Sequence, residues 1–442
     1  MKTVNKMPRY SAYKDSDYQW IGNIPEKWNI QKLSSCLFPV SEKNRPSLPL
    51  LSITRELGVI ERDIKDQDKN HNFIPDDLTN YKLLKKGQFG MNKMKAWQGS
   101  YGISNYTGIV SPAYFVFDLT KNIETEFFNW AIRSSLYVSY FGSASDGVRI
   151  GQWDLSKTRM KSIPFLIPSK NEQIAIVNFL DQKAAQIDQA IAIKQKQIEL
   201  LKERQQIIIQ QAVTKGLDPN VPMKDSGIEW IGIIPEHWNI KKLKYFTQFI
   251  NRGCTPNYII ESEYKVINQA NFSKGFFDFD NVKYTRETEY SYKNNRGVVV
   301  LDDLLLASTG GGVLGKVAHF DINTQEKYIA DSHVTIIRTD KQIAQNKFYY
   351  YFLVINFELI NGILAQGATN QTELQRDWLI NLFLPLPPLE EQQSIVKYLD
   401  GKVEQFNKLI LLETLQIEKL KEYKTTLIDS AVTGKIKITP EK

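Results

Sequence analysis

Gly310-Gly311-Gly312-Val313-Leu314-Gly315-Lys316-Val317 is the stretch of this 442-residue chain that comes closest to a phosphate-binding loop. Such a loop turns glycine N–H groups onto phosphates, leads into a helix, and needs Ser or Thr after its lysine to hold magnesium. Val317 stands where that hydroxyl is required, and the following Ala318-His319-Phe320 has the composition of a strand. The expected role is a glycine turn lying against a ligand or a phosphate backbone, with a plain structural turn as the alternative.

Other reactive arrangements are also missing from the sequence. Amino-group methylation of a base needs Asp or Asn, two prolines and an aromatic residue in succession, and the adjacent prolines Pro387-Pro388 are followed by Leu389. Neither a paired-carboxylate and lysine cluster nor a dinucleotide fingerprint is found. His71, His237, His319 and His333 are scattered without metal-ligand spacing, so no metal is expected. Cys36 and Cys254 lie too far apart in sequence to suggest a disulfide framework or a four-cysteine zinc site. Small buried hydrophobes in a reducing compartment are the expectation for both.

The elements that would carry such residues must come from a chain with 42% hydrophobic and 24% charged residues and a formal charge of +7. That composition is globular, and at roughly 100 to 200 residues per domain it predicts two to four domains. Met1 to Trp20 is polar, without the apolar segment of a secretory signal. No run approaches the roughly 18 apolar residues of a membrane span. The mild positive charge proves no nucleic-acid contact, although the 12% aromatic content suits stacking on bases.

Internal repetition decides the architecture. Trp20 to Leu33 reads WIGNIPEKWNIQKL and Trp230 to Leu243 reads WIGIIPEHWNIKKL, identical at eleven of fourteen positions. Lys14-Asp15-Ser16 matches Lys224-Asp225-Ser226 at the same offset of 210. A second repeat, EQIAIVNFLD from Glu172 and EQQSIVKYLD from Glu391, has an offset of 219 and persists to Ala212-Val213-Thr214 and Ala431-Val432-Thr433. The order is circular: reading off the end at Ala431 and re-entering at Lys14 reproduces the central run from Ala212 to Ser226. Such pseudo-symmetry is what a symmetric dimer of half-length chains would have.

The second repeat predicts two long helices. Apolar residues recur at Ile187, Ile191, Ile198, Leu201, Ile208 and Ala212, and again at Phe406, Ile410, Ile417, Leu420, Leu427 and Ala431. Ser169 with Glu172 forms a capping box, Pro388 starts the second helix, and Gly216 can end the first. Lys194, Gln205, Glu413 and Lys424 interrupt the stripes in register, as residues that fix pairing do. About 40 residues at about 1.5 Å each gives a rod of roughly 60 Å. Pseudo-two-fold symmetry predicts that the two helices pair as an antiparallel coiled coil.

The intervening regions read as mixed α/β, with strand-like runs such as Tyr114 to Phe117 and Val334 to Ile337 and buried aromatic helices at Phe127 to Phe141 and Phe348 to Leu359. The predicted class is α+β, with two pseudo-symmetric domains joined by the helix pair. The expected divisions are 1–19 as a frame segment, 20–167 as the first domain, 168–216 as the central helix and 217–229 as a linker. They continue with 230–387 as the second domain, 388–434 as the second helix and 435–442 as a tail.

The WIGxIPExWxIxKL segments at Trp20 and Trp230, the PLPPLEEQQSIVxYLD run from Pro385 to Asp400 and the AVTGK ending at Ala431 to Lys435 together resemble the specificity subunit of type I restriction-modification enzymes. The resemblance covers nearly the whole chain, and the duplicated order is its most diagnostic part. It implies two target recognition domains, each reading one half of a split DNA site, with the helices as the spacer that separates them. It implies as partners double-stranded DNA, two methyltransferase subunits and two motor-nuclease subunits, with no membrane. S-adenosylmethionine, ATP and magnesium would be used by those partners and none bound by this chain, which would be cytoplasmic in a bacterium or archaeon and noncatalytic alone. The frame tryptophans Trp20, Trp28, Trp230 and Trp238 are expected to pack domain onto helix.

Within such domains, readout needs amides, hydroxyls and cations at base edges, with lysine and arginine on phosphates. Two stretches in each half qualify. In the first half they offer Lys93, Lys95, Trp97, Gln98, Ser100 and Tyr101, then Ser143, Ser145 and Arg149. In the second half they offer Ser308, Thr309 and Lys316, then Gln366, Thr369, Asn370, Gln371 and Thr372. Asn251-Arg252-Gly253 and His333 are weaker candidates.

Two rivals remain at this level. One is a structural coiled-coil adaptor whose domains bind proteins. The other is a nucleotide-dependent enzyme working through Gly310 to Lys316. The departure at Val317 predicts that calorimetric titration of the chain with magnesium-ATP gives no binding heat; micromolar binding would restore the enzyme reading.

Overall fold

The computed structural model describes residues 7–63, 74–149, 152–280, 282–286, 297–310, 312–358, 362, 365–366 and 373–438. The chain divides into two compact units, Met1–Gln195 with Thr414–Lys442, and Lys196–Glu413. Among the described residues no helix is long and apolar enough to cross a membrane.

Each unit is built on a four-stranded antiparallel sheet of the same topology. In the first unit the order is Leu37–Val40, Tyr114–Leu119, Phe89–Asn92, Tyr101–Ile103. In the second it is Thr247–Arg252, Val334–Thr339, Leu304–Ala307, Val317–His319. The run after Lys316 is thus a strand and not the helix that a nucleotide-binding loop requires. What is added to the sheet differs. The first unit carries two separate two-stranded antiparallel pairs, and the second a five-stranded sheet in which Tyr264–Ile267 runs parallel to Lys327–Ala330.

The repeated frame segments pair with the strands that lead into the long helices. Asn29–Lys32 pairs with Pro164–Ile167, and Asn239–Lys242 with Phe383–Leu386, both antiparallel. Long helices then run over Lys170–Lys215 and Leu389–Val432. Glu172 accepts from the Ser169 N–H at 3.2 Å and hydroxyl at 2.7 Å, closing the N-terminal side of the first helix. Gly216, at φ +75°, supplies its left-handed end.

Within each unit the two helices pack antiparallel. In the first unit Asp188 accepts from Lys424 at 2.6 Å, and Ile187 and Ile191 share a core with Leu420 and Leu427. In the second, Gln205 donates to Asn407 at 3.3 Å, and Ile208 and Ile209 share a core with Val396, Leu399 and Val403. Ile187, Ile198, Ile417 and Leu427 are buried, while Ile191, Leu201, Ile208, Phe406, Ile410 and Leu420 are half-buried. Ile209, absent from the predicted stripe, is buried more fully than Ile208, because an undistorted helix drifts away from a seven-residue repeat.

The frame tryptophans divide into two pairs. Trp28 and Trp238 are wholly buried and donate from Nε1 to Glu172 at 3.3 Å and Glu391 at 3.0 Å. Trp230 is half-buried, edge-on to Phe352 at 5.9 Å, whereas Trp20 is 43% exposed and contacts Tyr140. Next to each acidic residue a buried glutamine completes the joint. Gln173 donates to the Pro168 and Asn122 carbonyls and accepts from the Glu124 N–H; Gln392 donates to those of Pro387 and Ile343 and accepts from Gln345.

The circular order also has a physical counterpart in the first unit. The Lys437 N–H donates to the Pro8 carbonyl at 2.7 Å, and the Tyr13 hydroxyl to that of Gly434 at 3.2 Å. Gly434 lies against Pro25 and Trp28 as Gly216 lies against Pro235 and Trp238. Cys36 is fully buried, and burial pushes its thiol up to about 12.

Replacing Gln392 by Ala strands the buried Pro387 carbonyl and two part-buried backbone groups, at about 1–3 kcal/mol for a fully buried group, less whatever water recovers. A clearly lowered urea midpoint, with Glu390→Ala near neutral as the exposed control, is the expected result.

Candidate nucleic-acid interface

The sheet topology brings the two predicted stretches of each half together. One stretch connects the last two strands of the four-stranded order, Phe89–Asn92 to Tyr101–Ile103 or Leu304–Ala307 to Val317–His319. The other forms a hairpin after the aromatic helix. In the first unit Ser145–Arg149 pairs with Gln152–Leu155, and in the second Ala365–Gln366 pairs with Glu373–Leu374. A backbone bond ties hairpin to loop in each unit, from Leu155 N–H to Lys93 carbonyl at 3.3 Å and from Leu374 N–H to Ser308 carbonyl at 2.9 Å.

In the first unit the loop turns tightly on itself. Asn92 is buried and its Oδ1 accepts from the Met94 N–H at 3.2 Å, while Gly99 at φ +90° closes a short 3-10 turn over Ala96–Gln98. Lys95 is exposed, Lys93 reaches Asp154 of the hairpin at 3.3 Å, and Gln98 is half-buried. The Trp97 ring stacks on Trp153 at 5.2 Å and 26°. Ser143 is exposed and donates to the Ser139 carbonyl, and Arg149 lies on the hairpin strand opposite Gln152.

In the second unit Thr309 is half-buried and shares a 2.8 Å hydrogen bond with His333 Nδ1. Arg252 forms an ion pair with Glu373 and donates to the Ser308 carbonyl at 3.0 Å. The His333 N–H donates to Asp331, whose carboxyl burial pushes above its ordinary value, against the opposing pull of that bond. Lys316 is half-buried and donates to the Ser273 carbonyl at 2.9 Å. Gln366 lies on the hairpin strand opposite Glu373, and Thr369, Asn370, Gln371 and Thr372 fall outside the described residues.

Four predicted contact residues are corrected by their burial. Tyr101 is fully buried, and Ser100, Ser145 and Ser308 are 2%, 6% and 0% exposed. Ser145 donates to the Phe141 carbonyl and Ser308 bonds the Thr335 hydroxyl at 2.5 Å, so both hydroxyls serve the interior. Sequence reading in turn missed Trp153, Asp154 and Glu373. The signal was available in their place just beyond the chosen positions, since Trp153 and Asp154 follow Arg149 by four and five residues and Glu373 directly follows Thr372.

Comparison with known proteins gives a consistent result. Residues 235–422 match the family model for the type I restriction modification DNA specificity domain. A type I restriction enzyme specificity subunit of Methanocaldococcus jannaschii, MjaX, is 25% identical over 460 residues, covering 96% of this chain and 98% of that one. A second from the same organism, MjaVIII, is 25% identical over 306 residues, 68% of each chain. Among solved structures, a chain from work on complex assembly and conformational transition of the type I R-M system superposes with a TM-score of 0.70 at 15% identity, covering 92% of this chain and 98% of its own. The HsdS subunit from Thermoanaerobacter tengcongensis gives 0.55 at 15% identity, with 93% and 98% covered.

The Tyr101 hydroxyl is buried without a hydrogen-bond partner among the described residues. Tyr101→Phe is therefore expected to leave duplex protection unchanged and to alter stability by no more than about 1 kcal/mol, in the stabilising direction. Loss of protection in a footprint would return Tyr101 to the interface.

Proposed function

The chain belongs to the specificity subunits of type I restriction-modification enzymes, and on that premise we propose that each unit reads one half of a bipartite DNA site through its paired loop and hairpin. The observation that carries this reading is positional. Two units whose accessory sheets differ present the same two polar elements at the same end of the same four-stranded order. Ordinary surface loops have no reason to recur in this way, and loops on a rigid sheet are where binding residues concentrate.

Exposed Lys95 and the half-buried Lys93, Gln98 and Thr309 supply cations, an amide and a hydroxyl of the kinds that meet phosphates and base edges. Ser143, Arg149 and Gln366 complete the proposed surface from the hairpin side, and Thr369, Asn370, Gln371 and Thr372 stay among the proposed DNA contacts. Trp97 shapes the first loop. Lys316, already engaged with the Ser273 carbonyl, approaches phosphate only by exchanging that bond.

Specificity subunits of this family work with DNA and with modification and restriction subunits. The finer assignment is that two methyltransferase subunits dock on the helices and frame, each flipping and methylating an adenine with S-adenosylmethionine. Two motor-nuclease subunits translocate and cut with ATP and magnesium. In support of docking, Leu200, Leu409, Leu411 and Leu412 of the second unit leave about half of their surface exposed, at 51%, 48%, 58% and 47%. The chain itself supplies the address and no reaction, and acts in the cytoplasm. The helices act as the ruler for the nonspecific spacer, since half-sites read from one face of B-DNA sit about 34–36 Å apart or a multiple of it.

Exchange of residues 34–160 for the matching domain of another specificity subunit tests the modular reading. Methylation-sensitive long-read sequencing of DNA modified by the assembled complex should show one half-site changed and the other intact. A change in both halves would refute modular reading. If instead the unaltered complex protects no bipartite duplex in a salt-sensitive way, the protein-binding adaptor takes its place.

A further inference from the structure

The contacts that hold hairpin to loop differ in kind between the two units. In the first unit the joint is aromatic. Trp97 and Trp153 stack at 5.2 Å, and the buried Trp97 Nε1 has no hydrogen-bond partner among the described residues, so ring packing holds it. Gly147 of the opposite hairpin strand makes room for this stack. A methyl group there would lie 2.9 Å from Trp153 Nε1 and 3.0 Å from its Cε2, closer than packed atoms approach. The Lys93–Asp154 pair beside the stack is a flanking contact, with side chains 31% and 56% exposed.

In the second unit the joint is ionic. Arg252, on the outermost strand of the four-stranded sheet, reaches Glu373 of the hairpin and the Ser308 carbonyl at the loop. Its side chain is 26% exposed and that of Glu373 is 50% exposed. Salt screens such a pair and leaves a ring stack nearly untouched.

We propose that Trp153 in the first unit and the Arg252–Glu373 pair in the second are positioning residues for half-site reading, one by stacking and one by charge. The fidelity of the second half-site is then more sensitive to ionic strength than that of the first. The residues act through loop orientation and need not touch a base. This inference rests on the reading given under Proposed function, and the two fail in different ways.

The test uses the assembled complex with its methyltransferase partners on a duplex library, in about 50 mM and about 200 mM salt, with each half-site scored separately by sequencing. The half altered by exchanging residues 34–160 defines the first. Trp153→Ala should raise methylation at first-half mismatches by roughly 3- to 10-fold and leave the second half unchanged. Trp153→Phe should restore most of the fidelity, Gly147→Ala should reproduce the loss, and Asp154→Asn should do little. Glu373→Gln should blur the second half by roughly 2- to 5-fold. In the unaltered chain, added salt should raise second-half mismatches more than first-half ones; general weakening of DNA binding cancels in that ratio. Failure to find any bipartite site in the unaltered complex would overturn the reading of function and this inference together. A clear bipartite site with Trp153→Ala and Glu373→Gln blurring the same half, or neither, would overturn the inference alone. If Trp153→Ala abolished all methylation, Trp153→Phe decides: near-normal first-half fidelity supports stacking, and equal loss overturns it.

Discussion

The structure depends most on a buried tryptophan whose indole N–H is satisfied at the first turn of a long helix. Trp28 meets Glu172 and Trp238 meets Glu391, and neither ring retains any solvent exposure. Burying an indole is strongly favourable, but its N–H must find an acceptor, and a carboxylate at a helix N-terminus is an acceptor that the helix dipole also favours. Each ring also lies against the glycine that follows the other helix, Gly434 beside Trp28 and Gly216 beside Trp238. One side chain therefore fixes where one long helix begins and the other ends. The neighbouring glutamines Gln173 and Gln392 extend the joint by bonding three backbone groups apiece, so the strand, the helix and the connection preceding the aromatic helix are located together.

This concentration of constraint in short contiguous segments is why the frame was legible in the sequence. The residues of the joint lie within a few positions of one another in WIGxIPExW and in EQxxIV, so a repeat visible by eye contains the interaction. Helix ends and most of the seam residues followed from it, whereas the pairing of the frame strands emerged only in the structure. Gln173 and Gln392 were nonetheless missed, because a glutamine in the first turn of an amphipathic helix reads as solvated. Only its recurrence beside Glu172 and Glu391 marked it, and recurrence alone does not separate a buried amide from an exposed one.

The proposed interface rests on matching positions, and the structure redraws it in detail. Matching positions in the two halves located the loop and the hairpin, yet Tyr101, Ser100, Ser145 and Ser308 face the interior. A serine at the end of a strand can satisfy a neighbouring carbonyl or face solvent, and the choice depends on strand register across the sheet. Register is set by contacts such as Leu306 opposite Thr335, about 30 residues away in sequence, which no local pattern encodes. The opposing latch residues Trp153 and Glu373 escaped for the same reason, since each becomes informative only when paired with a residue from another element.

The division between frame and loops also explains how one architecture holds two units with different accessory sheets. The core of each unit closes through the four-stranded sheet, the aromatic helix and the frame joint, and the exposed polar residues of the proposed reading loops take no part in it. Substituting an exposed loop residue costs little stability, whereas substituting a buried glutamine or tryptophan costs kilocalories. On the proposed reading, changes of address can therefore accumulate on the loops while the frame stays fixed. The latches lie between these two regimes. They are exposed enough to vary and ordered enough to matter, and that is why the two units could reach the same loop placement through a ring stack in one and an ion pair in the other.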